Sequence, residues 1–310
     1  MCGAPDQSTR SPTAPPGATL LAEAEEVDRR VQKLVERLTL EPLDRDLFLG
    51  EPGPGEGRLF GGMVAAQSLV AGYRTVPDPA ESHVHSLHAY FLRPGRYGTP
   101  IRFVVDRIRD GRTFTTRRIV AHQGGEAIFN MAASFAKPEE GISHQLPMPE
   151  APDPEGLPTW REMRARIREE ELPDYDHSPV DSRVAQPEDY TPDAEPGRQR
   201  MIWMKLRSRL PTDDPVIHAG AIAYASDHTL LGTALRANGI MPGSDGYMGA
   251  SLDHAMWFHR PPRFDDWLLY VSSSDVSQSA RGLIMGALFT RDGVQVASVA
   301  QEGLIRTTRR

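Results

Sequence analysis

A carboxylate, a hydroxyl and a carboxamide stand out in the second half of the chain. They are Asp227 in Tyr224-Ala225-Ser226-Asp227, Ser251 just before Asp253-His254-Ala255, and Gln301 in Val299-Ala300-Gln301-Glu302-Gly303. An ionised carboxylate can take a proton from water or orient it, while a hydroxyl and an amide can each donate and accept to hold the same water. Taken singly, each has a plainer reading. Asp227 suits a helix N-cap as well as it suits a base, and the two roles can coexist. Ser251 reads as a strand-start hydroxyl, and Gln301 as an edge-strand residue facing water. A comparison of the two halves of the chain is what sets the three apart.

The elements that must carry these residues are written twice. In the first half, apolar residues at helical spacing (Val27, Val31, Leu34, Val35, Leu38) predict an amphipathic helix over Glu23–Leu40. Gly50 to Gly57, rich in Gly and Pro, must be a loop. Met63 to Tyr73 is small and apolar on nearly every face, so it predicts a buried helix. Strand-like segments follow at 85–92, 101–109, 112–122 and 126–136, with hairpin signals at Asp110-Gly111 and Gly124-Gly125. A long antiparallel sheet around one apolar helix satisfies both patterns.

In the second half, Tyr224-Ala225-Ser226-Asp227 opens another small apolar run, 164 residues after Phe60-Gly61-Gly62-Met63. Ser251 to Phe258 follows His85 to Leu92 by 166 residues, and Gly293 follows Gly125 by 168. Both copies then reach an Arg-Pro pair, Arg93-Pro94 and Arg260-Pro261. Offsets this constant indicate an internal duplication. In that alignment Asp227 replaces Met63 at an expected helix start, Gln301 replaces Ala133 within a strand, and Ser251 stands opposite His85. Polar groups at positions that should be buried need partners or a wet pocket, because an unpaired buried carboxylate costs several kcal/mol. One residue from each of three elements is better explained as a site than as three accidents.

Composition narrows the class without naming a reaction. At 310 residues the chain has room for two domains of ordinary size. A net charge of −7 argues against a broad nucleic-acid surface, though local arginines could still hold a small anion. No apolar run reaches spanning length, and the first thirty residues lack the order of a secretory signal. The single cysteine, Cys2, lies in a polar tail and allows no internal disulfide. Between the copies, from about Lys137 to Arg200, 11 of the 27 prolines accumulate. That stretch reads mostly as a linker, with a short charged helix within 160–172. Gly249-Ala250-Ser251-Leu252-Asp253 breaks the Gly-x-Ser-x-Gly pattern of a serine hydrolase. His83, His85 and His88 invite a metal reading, but no matching carboxylate-His cluster follows.

The chain resembles the acyl-CoA thioesterase II family, the TesB-like double-hotdog enzymes, over about residues 31–306. The resemblance is carried by Leu59-Phe-Gly-Gly62, His85-Ser-Leu-His-Ala-Tyr-Phe-Leu-Arg-Pro-Gly95, Arg109-Asp-Gly-Arg-Thr-Phe114, Tyr224-Ala-Ser-Asp227, Asp253-His-Ala-Met-Trp-Phe-His-Arg-Pro261 and Val299-Ala-Gln-Glu-Gly303. It implies an α+β double hotdog in which each of two tandem domains wraps an antiparallel sheet around a central helix. The corresponding division is a tail at 1–30, an N-terminal hotdog domain at 31–137, a Pro- and acid-rich linker at 138–200, and a C-terminal hotdog domain at 201–310. The family's triad of Asp, Thr or Ser, and Gln falls on Asp227, Ser251 and Gln301, with Ser where many relatives carry Thr.

The activity so implied is hydrolysis of fatty acyl-CoA by direct attack of a positioned water, without cofactor or metal. Backbone amides at a helix N-terminus would meet the oxyanion, with Gly61 and Gly62 allowing close approach. Met63, Phe91, Met256 and Trp257 are candidates for lining an acyl tunnel. Arg93, Arg118 and Arg260 are candidates for the coenzyme A phosphates. The resemblance also implies a homo-oligomer, and the single cysteine points to a reducing, cytoplasmic compartment. Two alternatives remain at this level: a hotdog hydratase or dehydratase of enoyl thioesters, and a non-catalytic acyl-CoA binder.

Overall fold

The computed structural model describes residues 29–171, 177–191 and 194–307. Cys2 and the tail before residue 29 lie outside the described residues, as does the start of the first predicted helix. Residues 29–38 are helical (α1), with Val31, Leu34 and Leu38 buried. After the short strands β1 (Glu41–Asp44) and β2 (Leu47–Gly50) comes α2 (Gly61–Tyr73), in which every residue from Gly62 onward is buried. Burial on all sides explains why this helix shows no polar stripe.

Four strands follow: β3 (His83–Phe91), β4 (Ile101–Asp110), β5 (Phe114–Gln123) and β6 (Glu126–Ala136). Gly124-Gly125 is the expected two-residue hairpin, with both glycines at positive φ, a conformation that favours glycine. The Asp110-Gly111 turn differs from the two-residue expectation. Three residues separate the strands, and the Gly111 amide closes the turn on the Phe114 carbonyl at 2.9 Å.

Segment 138–200 carries α3 (Trp160–Arg168), β7 (Val180–Val184), a 3-10 turn at Pro187–Tyr190 and the first residues of β8 (Gln199–Leu206). Thr159 and Glu162 form a capping box at the start of α3. Then come α4 (Pro215–Ser226), α5 (Leu230–Ala237), β9 (Tyr247–Ser251), β10 (Asp253–Phe258), β11 (Leu268–Gln278), β12 (Arg281–Thr290) and β13 (Gln295–Thr307). Helix α4 packs against α2, and α5 lies against the strands of the second half.

All thirteen strands join one antiparallel sheet, ordered β1-β2-β4-β5-β6-β3-β10-β13-β12-β11-β8-β7, with β9 also on β13. The halves meet where β3 pairs with β10, and the register there obeys the duplication. Ala255 pairs with His88 and His254 with Ala89; Asp253 pairs with Tyr90 and Met256 with Leu87. Applying the 166-residue offset to either pair produces the other, so the two copies are related by an approximate two-fold axis through this seam. This is the double-hotdog arrangement that the resemblance implied, with an edge-to-edge junction inside one chain.

A second expectation is corrected. Asp227 does not start a helix. It is the C-cap of α4, and the helical run resumes only at α5. The true start lies twelve residues earlier, where the Asp214 side chain accepts from the Val216 amide at 3.0 Å and Pro215 occupies the first helical position. The break after Asp227 is held from the side, because buried Arg200 donates to the Thr229 carbonyl at 2.6 Å.

Candidate active site

Three elements deliver the three polar side chains to one place. Asp227 comes from the end of α4 and Ser251 from the last position of β9. Gln301 comes from the core-facing side of β13, and its side chain is buried rather than turned to water. A local irregularity turns Ser251 and Gln301 toward each other. Strand β13 pairs with β10 up to Ala300 and with β9 from Gly303 onward. Between these ladders Leu252 donates to the Glu302 carbonyl at 2.9 Å, and the Asp253 carboxylate accepts from the Glu302 amide at 2.7 Å.

The geometry is that of a relay. Ser251 Oγ donates to Asp227 Oδ1 at 3.1 Å, and Gln301 Nε2 donates to Ser251 Oγ at 2.9 Å. Across the domain seam, Gly61 and Gly62 open α2 beside the same carboxylate. A Cβ added to Gly61 would come within 2.9 Å of Asp227 Oδ2. Loss of solvation on burial raises the affinity of the Asp227 carboxyl for its proton. The charge of His254 and hydrogen bonds from Ser251, Gln301 and the Gly62 amide pull the other way, but burial dominates. Beneath the site, Tyr270 donates its hydroxyl to the Ser226 carbonyl at 3.2 Å, and burial with the nearby Asp227 charge keeps its proton on.

A cavity of about 220 Å³ opens beside Gly61 and Ser251. Its walls include Leu59, Val64, Phe91, Ile128, Phe129 and Leu252, with Arg58 and Arg93 also lining it. Phe91 packs on Phe129 with ring centroids 5.1 Å apart. Thus Gly61, Phe91 and Arg93 of the expected binding residues reach the cavity, and Gly62 touches the site through its backbone. Arg93 holds Glu126 at 2.9 Å and the Ala127 carbonyl at 2.8 Å.

The structure puts the others elsewhere. Met63 and Met256 are packed in the core. Trp257 faces outward on β10 and meets His88 edge-on at 5.3 Å. Arg260 lines a separate cavity with His144 and Ser298, and Arg118 faces Asp106 at 3.8 Å on the sheet surface. The outward placement of Trp257 follows from strand alternation: His254, Met256 and Phe258 take the inner face of β10, leaving Asp253, Ala255 and Trp257 outside.

The three histidines of β3 do not converge. His83 sits 3.4 Å from the Tyr73 hydroxyl, His85 is 2.8 Å from Ser134 Oγ, and His88 meets Trp257 edge-on. A different histidine belongs to the site. His254 is fully buried, with Nδ1 2.6 Å from Gln301 Oε1 and Nε2 2.9 Å from Ser226 Oγ. Its place on the apolar face of a short strand reads as packing. Only the register of β10 against β13 brings it under Gln301.

Models of two protein families match the chain: "Acyl-CoA thioesterase N-terminal domain" over residues 51–136 and "Acyl-CoA thioesterase" over 176–304. The chain is 37% identical over 292 residues to acyl-coenzyme A thioesterase 8 of Mus musculus, covering 87% of each. It is 32% identical to acyl-CoA thioesterase 2 of Haemophilus influenzae, covering 89% of this chain and 98% of that one. Among solved structures, an acyl-CoA thioesterase II, TesB2, from Mycobacterium marinum matches at 42% identity and a TM-score of 0.74, over 89% of this chain and 97% of that one. A conserved protein with hot dog fold from Alicyclobacillus acidocaldarius, 18% identical with a TM-score of 0.70, supports the fold. Sequence identity above 30% over most of the chain, a match in each half and a shared architecture together place this chain in the acyl-CoA thioesterase family, in its TesB-like double-hotdog branch.

Proposed function

We propose that this protein hydrolyses acyl-CoA to a free fatty acid and coenzyme A, by direct attack of a water held at Asp227, Ser251 and Gln301. The observation that carries the reading is the Ser251 hydroxyl, which bridges Asp227 and Gln301 beside the cavity and next to the start of α2.

In this reading Asp227, ionised, accepts the proton as water adds to the thioester carbon. Its raised proton affinity makes it a better base near neutral pH than an ordinary carboxylate. Ser251 and Gln301 orient the carboxylate and the water. Charge developing on the carbonyl oxygen would be met at the α2 N-terminus, where the Gly62 amide is already committed to Asp227 and Gly61 leaves room for close approach. The tetrahedral adduct then collapses, the C–S bond breaks, and the thiolate takes up a proton. Phe91, Phe129 and Ile128 offer an apolar wall to the acyl chain, and Arg58 with Arg93 offers charge to the coenzyme A phosphates. The Asp-Ser-Gln set favours hydrolysis over a hydratase, whose His or Asp base acts on the acyl chain without such a glutamine.

A cytoplasmic homo-oligomer belongs to the same proposal. Tyr90, Leu283 and Met285 are exposed on the outer sheet face, as a subunit contact would require, and a single cysteine suits a reducing compartment. Among the described residues no helix is long and apolar enough to cross a membrane.

The test is release of free thiol from short, medium and long acyl-CoA substrates, comparing the parent with Asp227→Asn, with Cys2 changed to Ser in both. Thiol release that falls at least about a hundredfold in the variant is the expected result. Turnover unaffected by the substitution would remove Asp227 from the mechanism, and tight acyl-CoA binding without turnover would make the protein a binder.

A further inference from the structure

We propose that His254 is a positioning residue of this site, whose Nδ1–H fixes which end of the Gln301 amide faces Ser251 and Asp227. The proposal rests on the hydrolase reading above and adds a residue that the chemistry itself does not use. His254 is fully buried and does not line the cavity, so it acts on a substrate through the groups it faces: Gln301 by hydrogen bond and Asp227 by its charge.

The direction of the network follows from its end point. An ionised Asp227 only accepts hydrogen bonds, so the one hydroxyl hydrogen of Ser251 is committed to Oδ1. The 2.9 Å contact between Ser251 Oγ and Gln301 must therefore be made by an amide hydrogen, which turns Nε2 toward Ser251. The other end of the amide, Oε1, then lies 2.6 Å from His254 Nδ1. A carbonyl oxygen brings no hydrogen, so the imidazole must carry one on Nδ1. Were the amide flipped, its oxygen would confront the Asp227 carboxylate and the Ser251 lone pairs, and the water would lose a donor.

The ring itself is held from its far side. Nε2 lies 2.9 Å from the hydroxyl of Ser226, the residue just before Asp227, and that hydroxyl is also 2.9 Å from the Ala223 carbonyl. With Nε2 bare, the Ser226 hydroxyl donates to the ring; with Nε2 protonated, it accepts from the ring and donates to Ala223. Either state keeps the hydrogen on Nδ1. The chain of contacts thus runs from Asp227 through Ser251, Gln301 and His254 back to the residue beside Asp227. The catalytic carboxylate and the amide that serves it are braced by one buried ring.

The experiment compares His254→Leu with His254→Asn in thiol release from a medium-chain acyl-CoA. Asparagine can place its amide N–H near the Nδ1 position, whereas leucine removes the donor and keeps the bulk. In the leucine variant kcat should fall at least about tenfold with KM near the parent value, as for other residues that orient a ligand they support. The asparagine variant should recover most of that loss. Two folded variants that lose kcat equally would overturn the proposal. Where either variant does not fold, nitrogen NMR of the histidine rings in the folded parent decides. A proton on His254 Nδ1, whether or not Nε2 also carries one, supports the assignment, and a ring protonated on Nε2 alone sinks it. That reading needs no turnover, so a failure of the hydrolase reading, seen as no thiol release from the parent, is distinguishable from a failure of this one.

Discussion

Asp227 and Gly61 belong to opposite halves of the chain, yet a Cβ on Gly61 would lie 2.9 Å from Asp227 Oδ2 and 2.6 Å from the Phe91 ring. The α2 helix can approach the carboxylate only because its first residue has no side chain. The Gly61 backbone is not in the left-handed region, so the requirement is one of space. Gly61→Ala should therefore fold, with an unchanged circular dichroism spectrum. It should lose at least about tenfold in kcat, since small misplacements of reacting groups are costly. An alanine variant with parental turnover would show that this contact is not part of the working site.

The pH dependence follows from the sign of the Asp227 shift. Burial raises its folded-state proton affinity, so the acid limb of kcat/KM should lie above the ordinary carboxylate range, with activity falling as pH drops through it. Stability should move the other way. Between the unfolded and folded values the native state binds the extra proton, so ionising Asp227 lowers stability as pH rises. Asp227→Asn should accordingly melt higher than the parent at neutral pH. The difference should shrink as the pH is lowered toward the unfolded carboxylate value. A variant less stable than the parent at neutral pH would mean that the favourable partners of the carboxylate outweigh its burial.

Ser251 is expected to act through its hydroxyl alone. Ser251→Ala breaks the bridge between Asp227 and Gln301 and should cost about ten- to a hundredfold in kcat, as for partners that orient a functional ligand. Ser251→Thr keeps the hydroxyl and restricts its rotamer. It should retain activity within about threefold, well inside the tenfold that 1.4 kcal/mol represents. Steady-state kinetics of the pair, side by side, checks both.

Phe91 and Phe129 form part of the wall of a cavity of about 220 Å³. Phe91→Trp reduces this space and should shift preference toward shorter acyl chains. Each methylene that no longer fits forfeits about 0.8 kcal/mol of burial, or roughly fourfold in kcat/KM. A chain-length series on the two proteins would show the shift, and an identical profile would place the acyl chain elsewhere.

Much of the architecture was legible because it is local. The Gly124-Gly125 hairpin follows from turn chemistry, the strand Ile101–Asp110 from β-branched and aromatic residues, and α2 from an apolar run too uniform to face water. The duplication was legible as constant offsets, and the β3–β10 register obeys them. Which end of a helix Asp227 occupies was not legible. Helix α4 is buried on every side and so has no polar stripe to mark its phase, while the informative start, Asp214-Pro215, lies twelve residues upstream.

The family resemblance, the paired halves and the three polar residues that break their symmetry can be read from the order of residues alone. Tertiary structure decided what those residues touch. Asp227, Ser251 and Gln301 are distant along the chain, and Gly61 lies in the other half, so their contacts depend on strand register and on the seam between the halves. His254 shows the limit most clearly. Strand alternation alone puts it on the inner face of β10 among apolar neighbours. Only the pairing of β10 with β13 and the end of α4 overhead turn a packed histidine into a ring held between Gln301 and Ser226. Alternation chooses a face, but long-range pairing chooses the neighbour.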